Sequence, residues 1–176
     1  IHIVVVLPKT HHGVWATLCQ KHQFSIPHQI SEGGASRFQS VRNGLKLCLE
    51  DSIIAVHDGV RPLIHPEHIL NLYNEAKSKS AVIPVCPILE SIRKVEGEAS
   101  KALDRSQYYS VQTPQCFSSE ILLKAYQQKE QETFTDDASV VEAFGKKIHL
   151  FNGDRMNIKL TTPEDFVFAE ALLNRP

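Results

Sequence analysis

The 176-residue chain carries almost no net charge, with a formal value of -1 at pH 7. A balance so close to neutral supplies no field to gather nucleic acid, so bulk nucleic-acid binding is disfavoured, although local basic groups can still grip a small anion. Long apolar runs are missing: none approaches the roughly 20 residues of a membrane span. The opening IHIVVVLPK also lacks the basic region and cleavage site of a signal peptide. No membrane partner is expected, and the expected location is the cytoplasm. The four cysteines, Cys19, Cys48, Cys86 and Cys116, form neither a C-x-x-C pair nor a zinc spacing. That excludes a disulfide framework and fits reduced, mostly buried and unreactive thiols. Neither G-x-G-x-x-G nor G-x-x-x-x-G-K-[ST] occurs, which removes the dinucleotide and Walker fingerprints. No serine stands in G-x-S-x-G and no cysteine has a catalytic signature, so a covalent nucleophile has no support. His11-His12 and His65-x-x-His68 do not match H-E-x-x-H and have no third ligand nearby in sequence, which disfavours metal ligation by histidine.

What is present is an alternation. With 42% hydrophobic and 22% charged residues, the chain reads as one globular domain over residues 1–176 with a sizeable core. IHIVVVL reads as a core strand, Val14 to His22 as a short helix, and FSIPHQIS as an extended segment leading to Gly33-Gly34. In SRFQSVRNGLKLCLE, Phe38, Val41, Leu45 and Cys48 recur at helical steps, and Ser36 and Gln39 have capping-box spacing. IIAVH is the next strand, HPEHILNLYNEAKSK a helix opened by Pro66 and Glu67, and AVIPVCP a strand despite its prolines. Residues 88–109 lack a helical stripe and contain Gly97, the pattern of a protruding hairpin. Helices are expected over about Ser119–Gln128 and Thr135–Phe144, the second ended by Gly145. KKIHLFNG and NIKLT read as strands, and Thr162-Pro163-Glu164-Asp165 opens a last helix through Leu173. The alternation predicts a doubly wound, mostly parallel α/β sheet with ligands beyond the carboxyl ends of its strands.

Several residues then stand out. A strand ending in AVHDGVRP places Asp58 and Arg61 at that edge, where Gly59 eases a close turn and Pro62 stiffens the exit. A carboxylate there suits Mg²⁺ and a guanidinium suits phosphate; equally, Asp58 caps a turn and pairs with Arg61. His57 reads as a packed strand-end histidine. Gly33-Gly34 ahead of a capped helix can bring backbone N–H groups against a nucleotide, with Ser40 one turn in, yet a lone glycine pair is more often an ordinary turn. Asp136-Asp137 reads chiefly as a favourable helix start, and Lys159 as a solvated strand lysine.

Taken together, GGASRFQSVRNGL, VHDGVRPLI, LDRSQYYSVQTPQCF, TDDASVVEAFG and NIKLTTPEDFVFAEALL occur in an order and spacing that resembles the 2-C-methyl-D-erythritol 4-phosphate cytidylyltransferase family. The resemblance covers essentially the whole chain and implies a Rossmann-like nucleotidyltransferase with a protruding β-arm. It implies a Mg²⁺-dependent homodimer that condenses CTP with methylerythritol phosphate to a CDP-alcohol and pyrophosphate, on the route to isoprenoid precursors. By motif match, Gly33, Gly34 and Ser40 fall at cytidine-recognition positions and Asp58 at the carboxylate near metal, ribose and substrate. Arg61 and Thr113 fall on the substrate side, and Lys159 lies against phosphate. Asp58 and Lys159 are the catalytic pair of this reading. The segment 88–109 corresponds to an arm that projects Ser91 and Arg105 toward the partner subunit's substrate phosphate.

Two positions depart from the family pattern: Ala35, where many members carry an acidic residue, and Ser91, where threonine is usual. The family's opening strand and glycine-rich triphosphate loop, with its arginine and lysine, precede the point where Ile1 aligns, so the 176 residues alone are expected to be poorly active. The alternatives are a ribitol-5-phosphate cytidylyltransferase, which shares most of these motifs, and a noncatalytic nucleotide-binding or dimerisation module.

Overall fold

In the computed structural model, which describes residues 1–174, the chain forms two compact units: Ile1–Ile54 with Phe117–Lys147, and Ala55–Cys116 with the chain from Ile148 onward. Both units are built from the βα alternation that the sequence displays.

In the first unit the β-branched run Val4–Leu7 forms β1 and pairs in parallel with β2, Gln29–Glu32, with Val4 opposite Gln29 and Leu7 opposite Glu32. Parallel neighbours need a crossover, here a 3-10 turn over Lys9–His11 and helix α1, His12–Lys21. Helix α2, Arg37–Leu45, starts where Ser36 is extended and its hydroxyl accepts the Gln39 N–H at 3.1 Å. The reciprocal half of the capping box is absent, because the Gln39 side-chain carbonyl instead accepts the Ala35 N–H at 3.2 Å. Helix α2 ends before Cys48, so the apolar stripe is shorter than its spacing implied; Phe38 and Leu45 carry the buried face. Gly44 is required there, since a Cβ would stand 2.7 Å from Val6 Cγ2 of β1.

Helices α4, Ser119–Ala125, and α5, Asp137–Ala143, complete this unit. Each is shorter than periodicity alone implied: α5 starts only after Asp136, which is extended and accepts the Ser139 N–H at 2.9 Å as a cap, and Gly145 follows its end at φ +80°. Asp137, the first residue of α5, does more than serve the helix start. It is fully buried, accepts two hydrogen bonds from the Arg37 guanidinium at 2.6 and 3.2 Å, and a third from the Tyr126 hydroxyl at 2.5 Å. Phe38 stacks on Tyr126 and Phe134 beside this network, with ring centroids 4.8 and 5.6 Å apart.

The second unit is organised on β4, Ala81–Pro87, whose residues Ala81 to Cys86 are all buried. Its larger sheet runs β3 (Ile53–Val56), β8 (Gln115–Ser118), β4, β7 (Tyr109–Val111), and the chain passes between units within β3 and again within β8. Strand β9, His149–Asn152, pairs in parallel with Val82–Val85, while β7 pairs antiparallel with Val85–Pro87. The sheet is therefore mixed. Pro84 is tolerated in its middle because a missing N–H does not prevent its carbonyl from accepting the Gln112 N–H at 2.9 Å. Helix α3, Pro66–Lys79, opens on His65, whose Nδ1 accepts the Glu67 N–H at 3.3 Å, and closes at Ser80 with φ 65°.

The anticipated hairpin is present: β5, Arg93–Glu96, and β6, Ala99–Ala102, pair antiparallel around Gly97 at φ +60°, and every residue of both strands is exposed. NIKLT is not a strand. Asn157 N–H turns back to the Asp154 carbonyl at 3.0 Å and Ile158 N–H to the Met156 carbonyl at 2.9 Å, so these groups are spent locally, and only Leu160 N–H reaches across, to Val60, at 2.8 Å. Helix α6, Pro163–Leu173, follows with Asp165 Oδ2 accepting the Thr161 and Thr162 N–H groups at 2.7 and 2.8 Å. Among the described residues no helix is long and apolar enough to cross a membrane.

Candidate active site

The site grows from the end of β3 in the second unit. After Val56 the chain turns, with Arg61 N–H donating to the Asp58 carbonyl at 3.0 Å and Pro62 fixing the exit. This turn does not depend on Gly59. Its φ is not in the left-handed region, and a Cβ there would meet no atom within 4 Å.

Asp58 carries the negative charge of the cluster. Its Oδ2 lies 3.2 Å from Lys159 Nζ and 3.6 Å from Arg61 Nε. The Asp58 and Arg61 side chains are only 18% and 12% exposed, whereas Lys159 is 46% exposed and offers the accessible cation. Arg61 is aimed by carbonyls: its Nη1 donates to Asn157 at 2.8 Å and its Nη2 reaches Val111 at 3.5 Å. Two permanent cations around one carboxylate leave a local surplus of positive charge, the balance that receives an anion.

Thr113 ties the turn to β7 and β8. Its hydroxyl oxygen accepts the Asp58 N–H at 3.0 Å and lies 2.9 Å from His57 Nδ1, while His57 Nε2 lies 3.1 Å from the Arg61 carbonyl. Desolvation of the ring holds the His57 imidazole below its ordinary pKa, against the opposing pull of the Arg61 carbonyl. The Lys159 loop is fastened by two buried amides. Asn157 Nδ2 donates to the Thr113 carbonyl at 2.8 Å. Gln112 donates to the Asp154 carbonyl at 2.8 Å and accepts the Asp154 N–H at 3.1 Å. Gln112, Asn157 and His57 are the site residues that motif reading missed as participants. Gln112 and Asn157 stand inside VQTPQ and NIK, and burial, invisible in the sequence, distinguishes them.

Asp58, Arg61, Thr113 and Lys159 are thus brought together. Ser91 and Arg105 are not joined to them: both are exposed, and the Arg105 guanidinium donates to the Leu89 carbonyl at the base of the arm. Gly33, Gly34 and Ser40 lie in the first unit. The two glycine N–H groups are occupied within the protein. Gly33 N–H donates to Leu7 at 2.9 Å and Gly34 N–H to Ser40 Oγ at 3.0 Å, while Ser40 Oγ itself donates to the Ser36 carbonyl at 2.8 Å. No cluster of three or more His, Cys, Asp or Glu residues suited to a metal occurs among the described residues. His65 caps α3, and His68 packs edge-on against Phe151.

A βα-alternating mixed sheet with a projecting β-arm and a carboxylate–cation cluster at a strand end has the architecture of a Rossmann-like nucleotidyltransferase. A sequence model of the 2-C-methyl-D-erythritol 4-phosphate cytidylyltransferase family matches residues 1–175. The enzyme of that name from Porphyromonas gingivalis is 49% identical over 172 residues, covering 97% of this chain and 78% of the relative. That from Phocaeicola vulgatus is 45% identical over 173 residues, covering 98% and 79%. Among solved structures, 4-diphosphocytidyl-2C-methyl-D-erythritol synthase from Anaerococcus prevotii superposes with a TM-score of 0.85 at 27% identity, covering 99% of this chain and 79% of the other. The 2-C-methyl-D-erythritol 4-phosphate cytidylyltransferase of Thermus thermophilus gives 0.79 at 28% identity, covering 99% and 83%. The chain belongs to the 2-C-methyl-D-erythritol 4-phosphate cytidylyltransferase family.

Proposed function

We propose that this chain condenses CTP with 2-C-methyl-D-erythritol 4-phosphate, giving the CDP-alcohol and pyrophosphate, and that the Asp58–Arg61–Lys159 cluster holds the reacting phosphates. The observation that supports this assignment of roles is the meeting of two cationic side chains at one Asp58 carboxylate oxygen, Arg61 from the same turn and Lys159 from far along the sequence, in a member of a cytidylyltransferase family.

An oxygen of the alcohol phosphate attacks the α-phosphorus of CTP in line; the new P–O bond forms as the bond to pyrophosphate breaks, and the electron pair leaves on the pyrophosphate oxygen. Such a step needs alignment and charge neutralisation more than proton transfer. Lys159 supplies a mobile, exposed cation and Arg61 a fixed one, both held in the free protein by Asp58. The Gly33–Gly34 segment takes the cytidine. Its N–H groups are occupied and its carbonyl oxygens accept no hydrogen bond among the described residues, so it can offer acceptors to the exocyclic amine of cytosine. Ser40 acts by shaping that segment through Gly34. Thr113 stays on the substrate side through its contact with the Asp58 main chain.

A lone carboxylate suits Mg²⁺, which is usually held by one or two carboxylates together with substrate phosphates and water. Asp58 is that ligand in this reading. When bound, the ion would neutralise charge on the polyphosphate. The arm over 88–109 pairs with a second copy of the chain and presents Ser91 and Arg105 to the partner's substrate phosphate. A cytoplasmic location belongs to the same proposal.

The test is pyrophosphate release from CTP with methylerythritol phosphate or ribitol 5-phosphate as acceptor, using the 176-residue chain and a version extended to the full length of its relatives. Release with methylerythritol phosphate is expected from the extended version, and much weaker release from the 176 residues alone. Preference for ribitol phosphate, or release with neither acceptor, overturns the reading.

A further inference from the structure

Hydrogen-bond accounting around Thr113 gives His57 a task beyond packing. The Arg61 carbonyl can only accept, so the His57 Nε2 facing it at 3.1 Å carries a proton. In the neutral ring Nδ1 is then bare and can only accept, and the group 2.9 Å away is the Thr113 hydroxyl, which therefore donates to it. The same hydroxyl oxygen accepts the Asp58 N–H at 3.0 Å. Every polar atom of the two side chains is thereby assigned a direction. One imidazole, acting through one hydroxyl, grips the main chain at both ends of the turn: at the Asp58 N–H through Thr113, and at the Arg61 carbonyl directly. The turn itself is closed by a bond from Arg61 N–H to the Asp58 carbonyl at 3.0 Å. Asp58 and Arg61 supply two of the three side chains of the charged cluster; Thr113, only 5% exposed, holds the grip from inside and His57 closes it from the exposed side.

We propose that His57 is a positioning residue for the phosphate-transfer reaction: with Thr113 it fixes the main-chain path from Asp58 to Arg61, and so the direction in which the carboxylate and guanidinium leave the turn. This rests on the proposed function for its kinetic consequence and on hydrogen bonding alone for its structural one. His57 exchanges no proton with substrate. Its effect on catalysis passes through geometry, because a displacement of about 1 Å in a positioned group can cost on the order of a hundredfold in rate.

The experiment combines kinetics with native-state amide exchange on His57→Ala, Thr113→Val, the double variant and Thr113→Ser. Two residues that act as one grip give non-multiplicative losses. Each single variant is expected to lower kcat about tenfold with KM for CTP within about twofold of wild type, and the double variant to lose no more than the worse single. Thr113→Ser keeps the hydroxyl and is expected within about twofold of wild type. Exchange at the Asp58 N–H is expected to quicken about five- to tenfold in His57→Ala, the equivalent of one hydrogen bond. Multiplicative losses, equal activity of the Ser and Val variants, or wild-type exchange at Asp58 in His57→Ala overturn the proposal. A chain inactive toward both acceptors overturns the functional reading instead, and the exchange measurement still decides the grip.

Discussion

Lys159 Nζ lies 3.2 Å from Asp58 Oδ2 across 101 residues of chain, and both groups belong to a loop end rather than to a helix or strand. An ion pair with its lysine this open to water adds little to stability, on the order of 0–1 kcal/mol. In the proposed reading its value lies in holding a cation where phosphate arrives. Lys159→Ala is therefore expected to lower kcat about a hundredfold, the equivalent of roughly 3 kcal/mol for one lost preorganised contact, with a thermal midpoint close to wild type. Steady-state kinetics beside a melting curve checks this, and full turnover in a folded variant refutes the assignment.

The two adjacent glycines are glycine for different reasons, and substitution separates them. A Cβ on Gly34 would stand 2.3 Å from Gln39 Cβ and 2.9 Å from its backbone, so Gly34→Ala must displace the start of α2. A Cβ on Gly33 would meet nothing nearer than 3.4 Å. Gly34→Ala is expected to cost about 1–3 kcal/mol by overpacking. Gly33→Ala is expected to fold normally while raising KM for CTP about tenfold, if the nucleotide approaches this backbone closely. Denaturant titration and CTP saturation curves on the two variants distinguish the cases.

The buried Asp137 makes a stability prediction independent of catalysis. Removing it leaves the Tyr126 hydroxyl without its acceptor inside the core, and the Arg37 bonds are lost as well. Asp137→Ala is expected to destabilise by about 3 kcal/mol, and Tyr126→Phe, which removes the donor and keeps the ring stack on Phe38, by about 1.5 kcal/mol. Urea unfolding measures both; equal costs would show that the arginine contributes nothing.

Burial pushes the Cys116 thiol up to about 12, from an ordinary value of 9.0. Burial likewise raises Cys48 and Cys86. Since the thiolate is the nucleophile, Cys116 is expected to resist alkylation at pH 8 in the native protein and to react on unfolding. Between 9.0 and about 12 the unfolded chain has released the Cys116 proton and the folded one has not. Its contribution to stability is therefore present below pH 9.0 and lost as pH rises through that window. Urea midpoints measured from pH 8 upward should fall less steeply in Cys116→Ala.

Strands such as Val4–Leu7 and Ala81–Pro87 were legible because an unbroken apolar run has few other fates, and the arm was legible because a charged segment around Gly97 has no face to bury. NIKLT misled for a physical reason: alternation describes side chains, whereas here the backbone groups of Asn157 and Ile158 are taken by a local turn. Asp137 was legible only in part: its place at the start of α5 has a local explanation in the helix dipole, whereas its partner Arg37 lies 100 residues earlier. Likewise, Gly33-Gly34 suggested N–H groups turned toward a nucleotide, whereas both N–H groups are occupied within the protein.

Gln112 reads Asp154 from both sides, giving an N–H to its carbonyl and taking its N–H in return. A side-chain amide thus imitates a neighbouring strand, stitching the lysine-bearing loop to the sheet edge. A hinged lid must be ordered anew at each turnover; a stitched loop is ordered once, when the chain folds. In the proposed reading, Lys159 therefore meets phosphate from a loop pinned at Asp154.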